Sequence, residues 1–111
     1  MINPSVSIIV RCRNEERHIG RLLEGISRQE VQPREILVVD SGSTDATLAI
    51  ARRYPVRIMH IEPSSFSFGY ALNRGCEEAK GDVLAFVSAH VYPVYRTWLK
   101  ELVKPFTDDK V

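Results

Sequence analysis

Residues 35–51 read EILVVDSGSTDATLAIA, an apolar run that passes through a short polar turn into a second, more widely spaced apolar pattern. Residues 35–40 are rich in β-branched side chains without alternation, which predicts a strand buried on both faces. Gly42 permits a tight turn, and residues 44–54 place apolar side chains between polar ones, which predicts a helix. Pro55 ends that helix. The stretch therefore predicts one strand–turn–helix unit.

The same unit recurs along the whole chain. Strands are predicted at residues 6–11, 35–40, 56–61 and 83–87, and helices at residues 16–27, 44–54, 69–80 and 95–106. Strict alternation of strands and helices calls for a parallel sheet with right-handed crossovers and helices on both faces. The predicted fold class is α/β, a doubly wound, mostly parallel sheet, and residues 1–111 are predicted to form a single domain.

Composition limits the classes of partner and compartment. The chain has 111 residues and a net charge of +1, so a core can form without disulfides, and nothing indicates nucleic-acid binding. Cys12 and Cys76 have no zinc-like or redox-like spacing, which predicts reduced thiols. Neither a signal-peptide pattern nor an apolar run of membrane-span length is present, so we expect a location in the cytoplasm or at the inner face of a membrane.

Polar residues after the first strand are candidates for a ligand site, because doubly wound sheets bind ligands at the carboxyl ends of their strands. Arg11 and Arg13 offer forked donors to phosphate oxygens. Asn14 or Glu15 either starts the following helix or holds a base. The alternative is that one arginine faces solvent and Asn14 only caps the helix.

Polar residues also follow the second strand, where Asp40 is an acceptor suited to a nucleobase or ribose. The backbone N–H groups around Ser41 and Gly42 are predicted to form a cradle for an anion. A well-capped helix without any ligand is an equally good interpretation of this turn.

Two further segments are candidates near the third and fourth strands. Residues 63–70 place three aromatic side chains before a helix, where they stack on a ligand ring or pack onto the helix start. Asn73, one turn inside that helix, faces either the crevice or solvent. His90, which follows the fourth strand, is open to three roles: metal ligand, phosphate contact or packed side chain.

Four ordered stretches together resemble the family 2 glycosyltransferases of GT-A fold. They are VSIIVRCRNEE (residues 6–16), ILVVDSGSTDAT (36–47), ALNRG (71–75) and GDVLAFVSAH (81–90), and the resemblance covers essentially the whole chain. It implies that a sugar is transferred, with inversion, from a UDP-, dTDP- or GDP-sugar to a hydroxyl of a saccharide or lipid-linked acceptor. A catalytically incomplete nucleotide or nucleotide-sugar binding module is the alternative.

The resemblance also implies a set of residues for the sugar-donor site: Arg11, Arg13, Glu15, Asp40, Ser41, Gly42, Asn73, Ser88 and His90. Family members place Asp-x-Asp at the end of the fourth strand, and its last acid coordinates a divalent cation, Mn²⁺ or Mg²⁺. Here the motif is Ser88-Ala89-His90, and Ser41 replaces the second of two aspartates usual after the second strand. His90 is thus expected either to ligate a metal or to stabilise the diphosphate directly.

The general base of this family normally lies downstream of the metal motif. The resemblance therefore implies that the base lies beyond Val111 and that the chain corresponds to the sugar-donor half of a longer enzyme. An edge strand left unpaired in such a half is compatible with a homo-oligomer or with poor solubility.

Overall fold

The computed structural model describes residues 4–62 and 68–107. Strands and helices alternate along them as predicted. The strands are β1 (Val6–Cys12), β2 (Glu35–Asp40), β3 (Arg57–His60) and β4 (Val83–Ser88). The helices are α1 (Ile19–Ser27), α2 (Thr47–Ala51), α3 (Phe68–Glu78) and α4 (Trp98–Val103), the last continued by a 3₁₀ turn at Lys104–Thr107.

The strands form one parallel sheet in the order β3-β2-β1-β4, which confirms the predicted α/β class. From β1 the chain runs outward through β2 to β3, and then crosses to the other side of β1 for β4. The register pairs Cys12 with Asp40 and Arg11 with Ser88. The ends of β2, β1 and β4 therefore meet where the winding reverses, which is the usual ligand position in such sheets.

The larger core lies on the sheet face covered by α1, α2 and α4. The predicted i, i+3, i+4, i+7 stripe of α1 is entirely buried there: Ile19, Leu22, Leu23 and Ile26. It packs against alternate residues of β1, Ile8 and Val10, and against Leu99 of α4. Helix α3 covers the opposite face of the sheet.

The smaller core lies beneath α3, where Ile9, Leu37 and Val39 pack against Ala71. Helix α3 approaches β1 closely, since a Cβ on Gly75 would lie only 2.6 Å from Cγ2 of Ile9. The helix lies mainly over β1 and β2. Phe86 of β4 points to the same face and is 49% exposed, so residues 4–62 and 68–107 leave a strip of sheet beside α3 uncovered.

All four described helices are shorter than the predictions, although α3, at Phe68–Glu78 against a predicted 69–80, differs by one residue in length. Helix α1 begins at Ile19 rather than residue 16, α2 spans Thr47–Ala51, and α4 spans Trp98–Val103 before its 3₁₀ turn. Polar residues before α1 and α2 bond to each other across the two loops instead of entering the helices, as described below. No helix within residues 4–62 and 68–107 has the length and apolar character needed to span a membrane.

The predicted role of the loop aromatics is not addressed by this fold. Residues 63–67 and the side chain of Phe68 lie outside the described part of the chain. Ring stacking by this loop therefore stays a prediction.

Candidate functional site

The loops after β1 and β2 are joined by hydrogen bonds between side chains and backbone. Asn14 adopts a left-handed conformation with φ of 52°, which asparagine tolerates better than most residues. Its Oδ1 accepts from the Thr44 N–H at 2.7 Å, and its own N–H donates to Ser43 Oγ at 2.9 Å. The Glu15 N–H donates to Thr47 Oγ1 at 2.8 Å. These bonds hold Glu15 in place at the carboxyl end of the sheet.

The next residues extend this connection. The Glu16 N–H donates to Asp45 Oδ2 at 3.3 Å, and the Ala46 N–H donates to Glu16 Oε2 at 3.3 Å. Desolvation raises the pKa of Asp45, but hydrogen bonds from Thr47 and Glu16 outweigh it and hold that pKa below its ordinary value. The two loops consequently form one polar unit in which Asp45 is ionised at neutral pH.

Asp40 organises the turn after β2. Its buried carboxylate accepts from the N–H groups of Gly42 at 3.1 Å and Ser43 at 3.0 Å, from the Ser43 hydroxyl, and from the Cys12 thiol at 3.5 Å. Gly42 has φ of 93°, a conformation that glycine adopts without strain. Ser41 is buried, and its N–H donates to the Cys12 carbonyl at 3.1 Å. Asp40 thus acts first within its own loop.

These bonds correct the expectation of an anion cradle in this turn. The amides of Gly42 and Ser43 donate to Asp40, the Thr44 amide donates to Asn14, and the Ala46 amide donates to Glu16. They are therefore not available to a phosphate. The self-contained turn is the better interpretation, and direct contact of Asp40 with a base or ribose stays a prediction.

An open cleft of about 340 Å³ lies at the carboxyl ends of β1 and β4, on the α3 side of the sheet. Ile9 and the exposed Phe86 line its apolar part. Its polar part is lined by Arg11, Glu15, Ser88 and His90. Four of the nine predicted residues therefore surround one cleft. Parallel pairing of β1 with β4 brings them together, since Arg11 lies opposite Ser88 in the register.

Glu15 meets two histidines at the mouth of the cleft. The Nε2 of His90 lies 3.0 Å from Oε2 and 3.3 Å from Oε1 of Glu15. The ring of His18 lies against that of His90, with centroids 4.2 Å apart and planes tilted by 33°. One ligand atom from each of Glu15, His18 and His90 lies within 4.8 Å of the other two.

His18 is the residue of this cluster that the sequence interpretation missed. It directly precedes α1, and its N–H donates to the Glu15 carbonyl at 3.0 Å, so a short turn brings the two side chains near each other. The available signal was its position in the loop after β1, three residues beyond Glu15. That loop lies next to His90 because β4 pairs with β1.

The remaining predicted residues lie outside the cleft lining. Arg13 is exposed in the loop after β1, and Asn73 is exposed on α3. Asp40, Ser41 and Gly42 form the supporting turn beside the cleft. The functional roles predicted for these five residues stay predictions.

The sequence matches the family model of glycosyl transferase family 2 over residues 7–111. The chain belongs to this family. A curated relative, 4,4'-diaponeurosporenoate glycosyltransferase from Staphylococcus aureus (strain bovine RF122 / ET3-1), is 31% identical over 106 residues, covering 92% of this chain and 28% of the relative. The family 2 chain thus spans between a quarter and a third of the length of such relatives.

Solved structures of a mannosyltransferase and of a glucosyl-3-phosphoglycerate synthase share the fold. The mannosyltransferase PcManGT from Pyrobaculum calidifontis, in complex with GDP-Man and Mn²⁺, matches with a TM-score of 0.84 and 30% identity over 100% of this chain and 34% of that chain. Glucosyl-3-phosphoglycerate synthase from Mycobacterium tuberculosis, in complex with Mn²⁺, UDP and glucosyl-3-phosphoglycerate, matches with a TM-score of 0.78 and 26% identity over 93% of this chain and 39% of that chain. The GT-A resemblance inferred from the motifs is confirmed.

Proposed function

We propose that this family 2 chain is the sugar-donor part of an inverting glycosyltransferase that uses a nucleotide diphosphate sugar. The observation that carries the proposal is the cleft between the ends of β1 and β4, which is lined by Arg11 and His90. This cleft lies where the winding of the sheet reverses. Nucleotides and a nucleotide sugar in the complexes of PcManGT and the mycobacterial synthase support the same ligand class.

The proposed reaction is a single displacement at the anomeric carbon. The acceptor oxygen forms its bond to that carbon while the bond from carbon to the diphosphate oxygen breaks, which inverts the configuration. The diphosphate leaves with the electron pair, and Arg11 and His90 are assigned to stabilise its growing negative charge. The acceptor proton goes to a carboxylate that acts as general base.

The polar loops are assigned to position these groups. Asp40, Ser41 and Gly42 hold the end of β2 against β1, and Ser88 holds the His90 backbone through a hydrogen bond of 3.2 Å to its N–H. Arg13 and Asn73 are assigned to the rim, where exposure leaves them accessible to the nucleotide or acceptor. A divalent cation fits the three ligand atoms of Glu15, His18 and His90, and when bound it supplies positive charge for the diphosphate.

Titration calorimetry of Arg11→Ala and Arg13→Ala with UDP, dTDP, GDP and the matching nucleosides tests the proposal. We expect Arg11→Ala to weaken diphosphate binding about tenfold or more, because it removes a charge-assisted hydrogen bond. Nucleoside binding stays unchanged. Arg13→Ala is the comparison variant, and it is expected to weaken diphosphate binding less than Arg11→Ala does, because Arg13 is exposed and lies outside the cleft lining.

Equal losses for nucleoside and diphosphate would contradict the assignment of Arg11, and the lack of binding to all three diphosphates would overturn the proposed ligand class. A transfer assay on the full-length protein decides the reaction. Tight binding without transfer by the full-length protein supports the alternative, a nucleotide-sugar binding module.

A further inference from the structure

We propose that Glu15, His18 and His90 form a site for a borderline transition-metal ion, with Zn²⁺ bound far more tightly than Mg²⁺, and that the site binds its ion without any nucleotide. The assignment of the ion to the sugar-donor cleft rests on the proposed function. The binding of the ion depends only on the three side chains.

Geometry is the first support. Metal–ligand bonds of about 2.1 Å in a tetrahedral zinc site place neighbouring ligand atoms about 3.4 Å apart. The His90 Nε2 is already 3.0 Å from one Glu15 oxygen and 3.3 Å from the other. His18 is within 4.8 Å of both, so rotation of one partly exposed side chain completes the set.

The second support is an oxygen without a hydrogen-bond donor. Oε2 of Glu15 is buried, and no group in residues 4–62 and 68–107 makes a hydrogen bond to it. His90 approaches it at ion-pair distance, but not in hydrogen-bonding geometry. Buried carboxylate oxygens usually have a donor or a cation. An ion between Glu15 and the imidazoles satisfies this oxygen.

Ligand chemistry selects the ion. Two imidazole nitrogens and one carboxylate suit zinc and its neighbours, whereas Mg²⁺ prefers a shell of oxygens and water. Three protein ligands also leave at least one position of a tetrahedral ion unfilled by protein, the pattern of catalytic rather than structural sites. In the proposed function, that position would be open to a phosphate oxygen of the sugar donor.

The backbone positions of all three ligands are held by hydrogen bonds. The N–H of Glu15 bonds to Thr47, that of His18 to the Glu15 carbonyl, and that of His90 to Ser88. Preorganised ligands bind ions more tightly than mobile ones, because less ordering is needed on binding. The ion would tie the loop after β1 to the end of β4.

Metal alone is the probe for the test, at about pH 7.5, because protons compete with metal ions for these ligands at lower pH. Each protein carries Cys76→Ser, because this exposed thiol would otherwise bind zinc. Zn²⁺, Mn²⁺ and Mg²⁺ are titrated calorimetrically, and Co²⁺ is followed by its visible absorption. We expect one Zn²⁺ per chain, Mn²⁺ binding more weakly, and Mg²⁺ binding weakest.

Variants identify the ligands. His18→Ala and His90→Ala are each expected to weaken Zn²⁺ binding at least about tenfold and to remove the tetrahedral Co²⁺ bands. His60→Ala is the matched control, since His60 is exposed at the end of the edge strand β3. We expect His60→Ala to leave the Zn²⁺ affinity and the Co²⁺ absorption bands unchanged. Thermal unfolding confirms that each variant is folded, and Glu15→Gln then tests the carboxylate.

Two outcomes overturn the proposal. The first is a Zn²⁺ affinity that does not change in His18→Ala, and the second is a loss of Zn²⁺ affinity in His60→Ala as large as that in His90→Ala. Nucleotide titrations in EDTA separate this proposal from the proposed function. Diphosphate binding by a chain that fails to bind Zn²⁺ rejects the metal site alone. Zn²⁺ binding by a chain that binds no nucleotide rejects the nucleotide function alone.

Discussion

Cys12 shows how one buried side chain supports the site without reacting. Burial, followed by the nearby charge of Asp40, raises the pKa of the Cys12 thiol far above its ordinary value. The thiol therefore keeps its proton, which it donates to Asp40 at 3.5 Å. Cys76, in contrast, is exposed on α3. The two cysteines are expected to differ sharply in reactivity, because the thiolate is the nucleophilic form.

Iodoacetamide at about pH 8 tests this difference. We expect the folded chain to gain one adduct, at Cys76, and the chain unfolded in urea to gain two, as read by peptide mass spectrometry. Cys76→Ser should gain none while folded. Labelling of Cys12 and Cys76 at similar rates in the folded chain would show that Cys12 is neither buried nor protonated as described.

At the scale of elements, Gln29 joins the end of α1 to the start of α4. Its buried amide donates to the carbonyls of Tyr95 at 2.7 Å and Gly25 at 3.2 Å, and its Oε1 accepts from the Leu99 N–H at 2.9 Å. No side chain caps the first turn of α4 at Thr97. Gln29 therefore supplies from α1 a hydrogen bond that α4 does not make locally.

Gln29→Leu keeps the side-chain size but leaves the buried Leu99 N–H without an acceptor. We expect the free energy of unfolding to fall by about 1–3 kcal/mol, measured by urea denaturation. Gln32→Leu is the control, because Gln32 bonds to carbonyls at the exposed end of α1. Its cost should be less than half as large. Equal costs would show that burial of the Gln29 bonds contributes nothing.

At the scale of the whole molecule, stability and ligand chemistry lie at opposite ends of the sheet. Glu35, at the amino end of β2, accepts from the Ser7 hydroxyl and the Lys80 N–H and lies beside Arg57. Desolvation raises the pKa of Glu35, but these partners outweigh it and lower that pKa below its ordinary value of 4.5. The charged carboxylate thus ties together β1, β2, β3 and the segment after α3.

Because the pKa of Glu35 is lower in the folded than in the unfolded state, its carboxylate contributes fully to the free energy of unfolding above pH 4.5. This contribution disappears as the pH falls through the folded-state pKa. We expect Glu35→Gln to lower the free energy of unfolding by about 1 kcal/mol at neutral pH. The difference should shrink towards zero in urea denaturation series from about pH 7 to about pH 3. Zn²⁺ affinity should not change. A difference independent of pH would contradict the role of the charge.

The sequence by itself determined the elements and their buried faces. Local periodicity predicts the buried stripe of α1, the strands, and the alternation that indicates a parallel sheet. It does so because the spacing of apolar residues reflects which side of each element is buried. Its polar motifs also marked the strand ends where Arg11, Glu15, Ser88 and His90 line one cleft.

Only the tertiary structure decided which of those polar groups face each other. The strand order β3-β2-β1-β4 brings His90 to Glu15, 75 residues earlier in the sequence, and to the nearby His18. Helix bounds at α1 and α2 likewise follow from bonds between two loops. Local sequence encodes burial, whereas pairing of distant loops depends on how the sheet is ordered, because that order sets which strand ends are neighbours.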